Sequence, residues 1–113
     1  MAGKRVLEAS GIDKSRIGVI VNTSVSRDFY EPGVAVCVHS NLGLSPSCIS
    51  FDITNACVGL LNGMAVVGQM IEAGVVEYGL LTCAEVVQDL QVRPGCCCVG
   101  ICVVLRTERP SAC

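Results

Sequence analysis

Residues 54–74, TNACVGLLNGMAVVGQMIEAG, carry a single charged side chain, Glu72, and are too long for one strand. Apolar residues recur at Val58, Leu61, Met64, Val67 and Ile71, which is helical spacing. Leu60, Val66 and Met70 fall on the other faces, so the helix is apolar nearly all round. Such a helix is expected in an interior rather than on a surface. Gly59, Gly63 and Gly68 each cost up to about 1 kcal/mol of helix propensity, so close packing against neighbouring layers is expected to offset them. Gly74 is a natural stop. A chain organised around this segment must supply layers to cover it.

The flanking segments supply strands. IGVIVNTS (17–24) is a continuous β-branched run, the pattern of a strand covered on both faces, as in a parallel sheet. CISFDI (48–53) reads as a second buried strand and VEYGLLTCAE (76–85) as a third. VAVCVHSNLGL (34–44) is expected to be a helix ending near Asn41–Gly43, although its β-branched content also suits a strand. VSRDFYEPG (25–33) is a loop by its Asp28 and Pro32–Gly33, and GKRVLEASGIDKSR is a helix end stopped at Gly11. Strand, helix, strand, helix, strand gives an α/β fold with layers and mainly parallel pairing. After Glu85 the pattern changes. VVQDLQVRPG is a short helix or loop, CCCVGICVVLR (96–106) an apolar strand candidate and TERPSAC a polar tail. The expected organisation is a domain over 1–86 followed by a divergent Cys-rich tail over 87–113, read as a truncated or aberrant end of the same domain.

With 51% apolar and 16% charged residues, the chain is rich in surface to hide, which fits a larger fold or an oligomer. The net charge of −2 and the absence of Trp argue against a nucleic-acid partner. No apolar run reaches the ~18 residues of a membrane span, and the polar N-terminus does not read as a signal peptide. Nine cysteines at irregular spacing, without an export signal, suit a reduced cytoplasmic setting better than a disulfide framework. Cys96, Cys97, Cys98 and Cys102 lack a C-x-x-C pair and a nearby His, so no metal is expected there.

Among the nine, Cys57 has a distinct position, at the junction of the second strand and the apolar helix. Unpaired amides and the positive end of the helix dipole gather at such a junction. That setting favours a thiolate, and the same amides can donate to an acyl oxyanion. Thr54 and Asn55 are good N-cap types. These features fit a nucleophile for covalent acyl transfer, while a small buried hydrophobe remains the alternative.

FDITNACVGLLNGM resembles the nucleophile motif of the thiolase superfamily, specifically its ketoacyl-synthase III group. An Asn-Thr-Ser strand end, an Arg-Asp-x-x-Glu-Pro loop and an Asp-x-x-x-x-Cys segment follow one another in order, and together they resemble the olefin-forming, head-to-head acyl-condensing branch. The resemblance covers about residues 5–86. It implies the N-terminal half of a thiolase-like layered fold with a buried nucleophile helix.

The resemblance further implies that Cys57 takes an acyl group from acyl-coenzyme A or an acyl carrier protein as a thioester. A second acyl thioester then condenses with it in fatty acid or related lipid biosynthesis. No cofactor is implied. Glu31 of RDFYEPG matches the position of a base that reaches a neighbouring subunit, so a homodimer is implied, joined through the strand SCISFDI. The family completes its site with a His and an Asn from its second half. His39 does not match that His and reads as a residue at a helix C-terminus. Asn22, Asn55 and Asn62 do not match that Asn. An incomplete acyltransferase and a catalytically idle half domain acting through dimer contacts are therefore both open readings, and poor solubility of the isolated chain is expected.

Overall fold

The computed structural model describes residues 2–27, 30–86 and 98–106. Its elements are α1 (Ala2–Ser10), β1 (Ile17–Asn22), α2 (Val34–Leu42), β2 (Ile49–Asp52), α3 (Gly59–Glu72), β3 (Tyr78–Val86) and β4 (Cys98–Arg106). Short 3-10 turns at Lys14–Arg16 and Ala56–Val58 lead into β1 and α3. VVQDLQVRPG lies outside the described residues apart from its first valine, and so do Cys96, Cys97 and the segment TERPSAC.

The strands form one sheet in the order β2-β1-β3-β4. β1 pairs in parallel with β2, bringing Asn22 opposite Asp52, and in parallel with β3, bringing Asn22 opposite Thr82. The expected parallel pairing is present. β4 then runs antiparallel to β3 from Tyr78↔Arg106 to Val86↔Cys98, so this part of the Cys-rich tail is built into the same sheet. β2 and β4 are its edges.

Alternation along the strands divides the interior in two. Ile20 and Leu80 pack with Leu42, Leu44 and Cys48 from α2 and the loop after it. Val19, Val21 and Leu81 pack with Val67 and Ile71 of α3. The two crossover helices thus cover opposite faces, and Val19, Ile20, Val21, Leu80 and Leu81 have no exposed surface. This double cover explains the unbroken apolar runs of β1 and β3. The segment 34–44 takes the helical option and ends at Gly43, which adopts φ 62° and returns its N–H to the His39 and Ser40 carbonyls.

α3 buries Gly59, Gly63, Val67 and Ile71, one stripe four residues apart. A methyl at Gly63 would lie 2.5 Å from Leu81 Cδ2 and 2.8 Å from Thr23 Cγ2, so the helix axis sits as close to the sheet as a glycine allows. Burial on every side, expected from the sequence, is found on this face only. Leu61, Met64 and Val66 are 63%, 37% and 39% exposed, and Gly68 faces open space rather than a packing partner. The reason is geometric, because the described residues place one layer, not two, against α3.

Alanine substitutions at the two glycines should therefore have opposite signs. Gly63→Ala is expected to lower unfolding free energy by about 1–3 kcal/mol through overpacking. Gly68→Ala is expected to raise it by up to about 1 kcal/mol through helix propensity. Urea titrations of the two variants beside the wild type measure both.

Candidate active site

Cys57 lies in the 3-10 turn Ala56–Val58, between the end of β2 and the first turn of α3, and is exposed. The residue before it, Ala56, has φ 42°, a left-handed conformation that a residue with a Cβ adopts at a cost. The turn after β2 is therefore held in a tight, strained form. Ile53 N–H donates to the Asn22 carbonyl at 2.9 Å, and Val58 N–H donates to the Asn55 carbonyl at 3.0 Å. On the α3 side, a methyl at Gly59 would lie 3.0 Å from the Thr23 carbonyl oxygen, so the helix start abuts the end of β1.

The capping role expected of Asn55 is not what forms. Asn55 occupies the N-cap position of the 3-10 turn, but its side chain makes no cap bond, and Val58 at the N-cap of α3 has no polar side chain to offer. Asn55 Nδ2 instead donates to Asn62 Oδ1 at 2.7 Å, tying the turn to the second turn of α3. No side-chain oxygen caps this helix start, and its first amides, those of Val58 and Gly59, bond to the backbone carbonyls of Asn55 and Ala56.

Glu31 is exposed in the bend preceding α2, and its peptide bond to Pro32 is cis. Its chain segment is connected to the Cys57 segment by side chains that the sequence reading did not single out. Asp52, the last residue of β2, accepts from Val34 N–H through Oδ2 and from Ala35 N–H through Oδ1, both at 2.8 Å. A carboxylate on the first amides of a helix is an N-cap supplied from another element, a contact type that contributes about 1 kcal/mol. Gly33 leaves room for it, since a methyl there would lie 3.2 Å from Asp52 Oδ2. Arg27 Nη2 also donates to Thr54 Oγ1.

The other end of the loop is held from β3. Glu85 accepts from Val25 N–H at 2.6 Å, from Ser26 N–H at 3.1 Å and from Ser26 Oγ at 2.8 Å. Burial pushes the Glu85 carboxyl up, but these three hydrogen bonds outweigh it and leave its pKa below the ordinary glutamate value. Burial alone pushes the Cys48 and Cys102 thiols up, with a backbone contact at Ile20 partly offsetting it for Cys48, so both suit a structural role.

Beneath the site, the strand end Asn22-Thr23-Ser24 is fully buried. Ser24 Oγ donates to Asn22 Oδ1 and accepts from Ala84 N–H, both at 2.8 Å, so the motif fastens the C-terminal ends of β1 and β3 to each other. Asn22 Nδ2 and the Thr82 hydroxyl find no hydrogen-bond partner among the described residues. His39 is half-buried in the last turn of α2, where Nε2 donates to the Ser45 carbonyl at 2.9 Å, as a structural residue would. Among the described residues no cluster of His, Cys, Asp or Glu is arranged to hold a metal, and no helix is long and apolar enough to cross a membrane.

Comparisons with known proteins agree on one origin. Residues 51–94 match the model of the 3-oxoacyl-[acyl-carrier-protein] synthase III family. The acyl-CoA:acyl-CoA alkyltransferase of Xanthomonas campestris pv. campestris is 42% identical over 84 residues, 74% of this chain and 25% of that protein. Over the part they share, this chain is similar to the ketosynthase III type of the thiolase superfamily. The β-ketoacyl-[acyl-carrier-protein] synthase III of Citrobacter koseri is 36% identical over 85 residues, covering 75% of this chain and 26% of its own. Cerulenin-bound OleA of Xanthomonas campestris superposes with a TM-score of 0.73 at 42% identity, covering 74% of this chain and 25% of that one. The names are those of acyl-transferring enzymes, so the family is an enzyme family. The chain spans about a quarter of the length of the curated relatives it matches.

Glu85 supplies a pH signature. With its folded pKa depressed, its contribution to stability is present above the ordinary glutamate value of 4.5 and is lost as pH falls through the lower folded value. Thermal midpoints measured across that acid range should fall with pH, and the fall should be shallower in Glu85→Gln.

Proposed function

We propose that this chain is the nucleophile-bearing part of a ketosynthase III-type acyltransferase that condenses acyl thioesters through an acyl-Cys57 intermediate. The observation that carries the reading is the turn at Cys57. An exposed thiol follows a strained residue at a strand-to-helix junction where no side chain caps the helix amides. In the first step the Cys57 thiolate attacks the thioester carbonyl. The carbon–sulfur bond to coenzyme A or the carrier protein breaks, and the departing thiolate takes up the thiol proton. The helix-start amides offset the charge on the carbonyl oxygen while it is tetrahedral. In the second step Glu31, reaching in from the neighbouring copy of the chain, acts as base and removes the α-proton of a second acyl thioester. The resulting carbanion displaces Cys57 thiolate and leaves a β-keto thioester. The head-to-head branch is favoured by the presence of a carboxylate at Glu31.

The expected setting is a cytoplasmic homodimer, with the exposed edge strand β2 as the joining strand, no cofactor beyond the acyl thioesters, and no nucleic-acid or membrane partner. The chain's quarter share of its relatives' length supports reading it as an incomplete fragment of such an enzyme. The open apolar face of α3 at Leu61, Met64 and Val66 supports a second reading, an idle half domain that acts through contacts alone.

Intact-protein mass spectrometry after incubation with a panel of acyl-coenzyme A thioesters tests the proposal. Wild type should gain one acyl mass and Cys57→Ala none. A folded wild type without any increment leaves the idle half domain as the reading that stands.

A further inference from the structure

The two segments to which the proposed chemistry is assigned are far apart in sequence, and one carboxylate joins them. Glu31 lies three residues before Val34, and Cys57 lies five residues after Asp52. Asp52 accepts from the amides of Val34 and Ala35 at 2.8 Å each, using both carboxylate oxygens. It does so from the last position of β2, whose backbone is already registered on Asn22 of β1. Immediately beyond, Ile53 N–H is fixed to the Asn22 carbonyl, and the chain enters the strained turn at Ala56. Asp52 thus joins the strand end from which the turn leaves to the start of α2. Arg27, from the same loop as Glu31, reaches Thr54 of the turn and adds a lateral tie.

We propose that Asp52 is a positioning residue, holding the start of the Cys57 turn and the segment bearing Glu31 in one fixed relation through its two hydrogen bonds to the N-terminus of α2. The inference rests on the reading of Cys57 as the reactive thiol. It differs from a general stabilising role in a specific way. A stabilising cap protects the whole fold, whereas a positioning contact controls the reactivity of Cys57 while the buried core stays closed. Cys48, buried among the residues packed on α2, reports the state of that core.

The experiment is iodoacetamide labelling of the full chain, followed cysteine by cysteine by peptide mass spectrometry. It compares wild type, Asp52→Ala, Asp52→Asn and Val34→Pro. Val34→Pro deletes one of the two donors and leaves the carboxylate in place. The first helical position tolerates proline, and Gly33 already has the φ −55° and ψ 151° that a residue before proline adopts. Labelling of Cys57 should slow by roughly two- to fivefold in Asp52→Ala, the size of effect expected from the loss of one helix cap. Asp52→Asn, which keeps one acceptor oxygen, should restore part of the rate. Val34→Pro should move it in the same direction as Asp52→Ala. Cys48 should stay protected in all of them.

An unchanged Cys57 rate in Asp52→Ala and Val34→Pro overturns the proposal, as does a rise in Cys48 labelling in every variant whose Cys57 rate changes. If Asp52→Ala alone unfolds, Cys48 reveals it and Val34→Pro decides. Acyl loading from acyl-coenzyme A, measured on the same samples, separates the two readings. A wild type that labels with iodoacetamide but never takes an acyl group counts against the acyl-transfer function, and the labelling comparison still decides the role of Asp52.

Discussion

The contact on which the rest of the structure depends is the approach of α3 to the ends of β1 and β3. Gly59 and Gly63 let the helix backbone approach the Thr23 carbonyl, the Thr23 methyl and the Leu81 side chain, where a methyl would press on the carbonyl at Gly59 and overlap its neighbours at Gly63. That approach determines the depth at which the helix starts. It therefore determines where the turn containing Cys57 is left, above the C-terminal ends of parallel strands. Ligand sites in open α/β sheets gather at that edge because the connections there leave helix N-termini facing outward.

Around this contact the loops are held by polar groups rather than by burial. Two carboxylates at strand ends, Asp52 on β2 and Glu85 on β3, each take two backbone N–H groups from opposite ends of the connection between β1 and α2. The buried Asn22-Ser24 pair fastens β1 to β3 just below. Such a network stiffens the site side of the sheet without adding apolar surface, and its cost is the number of buried polar atoms that need partners. Asn22 Nδ2 and the Thr82 hydroxyl, neighbours in register, show that cost.

Most of the fold could be read from residue order because its main signals are local. A continuous β-branched run identified β1, and helical spacing identified α3. The segment 34–44 was ambiguous, since Val34, Val36 and Val38 suit either state. Asp52 and Gly43, at its two ends, decide for the helix by satisfying amides at its start and carbonyls at its end. Cys57 stood out by its place at a strand–helix junction. Asp52 could have been found from its position in the Asp-x-x-x-x-Cys segment, but its partners are far away in sequence. Glu85 carried no signal at all, because nothing near it in the chain hints that it would face Val25 and Ser26.

By itself the sequence determined the types of β1, β3 and α3, the parallel crossovers and the residue placed at the start of α3, because periodicity, glycine positions and chain order are local quantities. Only the tertiary structure decided which face of α3 is covered, that β4 closes the sheet antiparallel to β3, and that Asp52 rather than Asn55 does the capping near the site. Those outcomes depend on which groups meet across long sequence separations. A carboxylate can cap any helix whose first amides it reaches, and only the folded chain determines which helix that is.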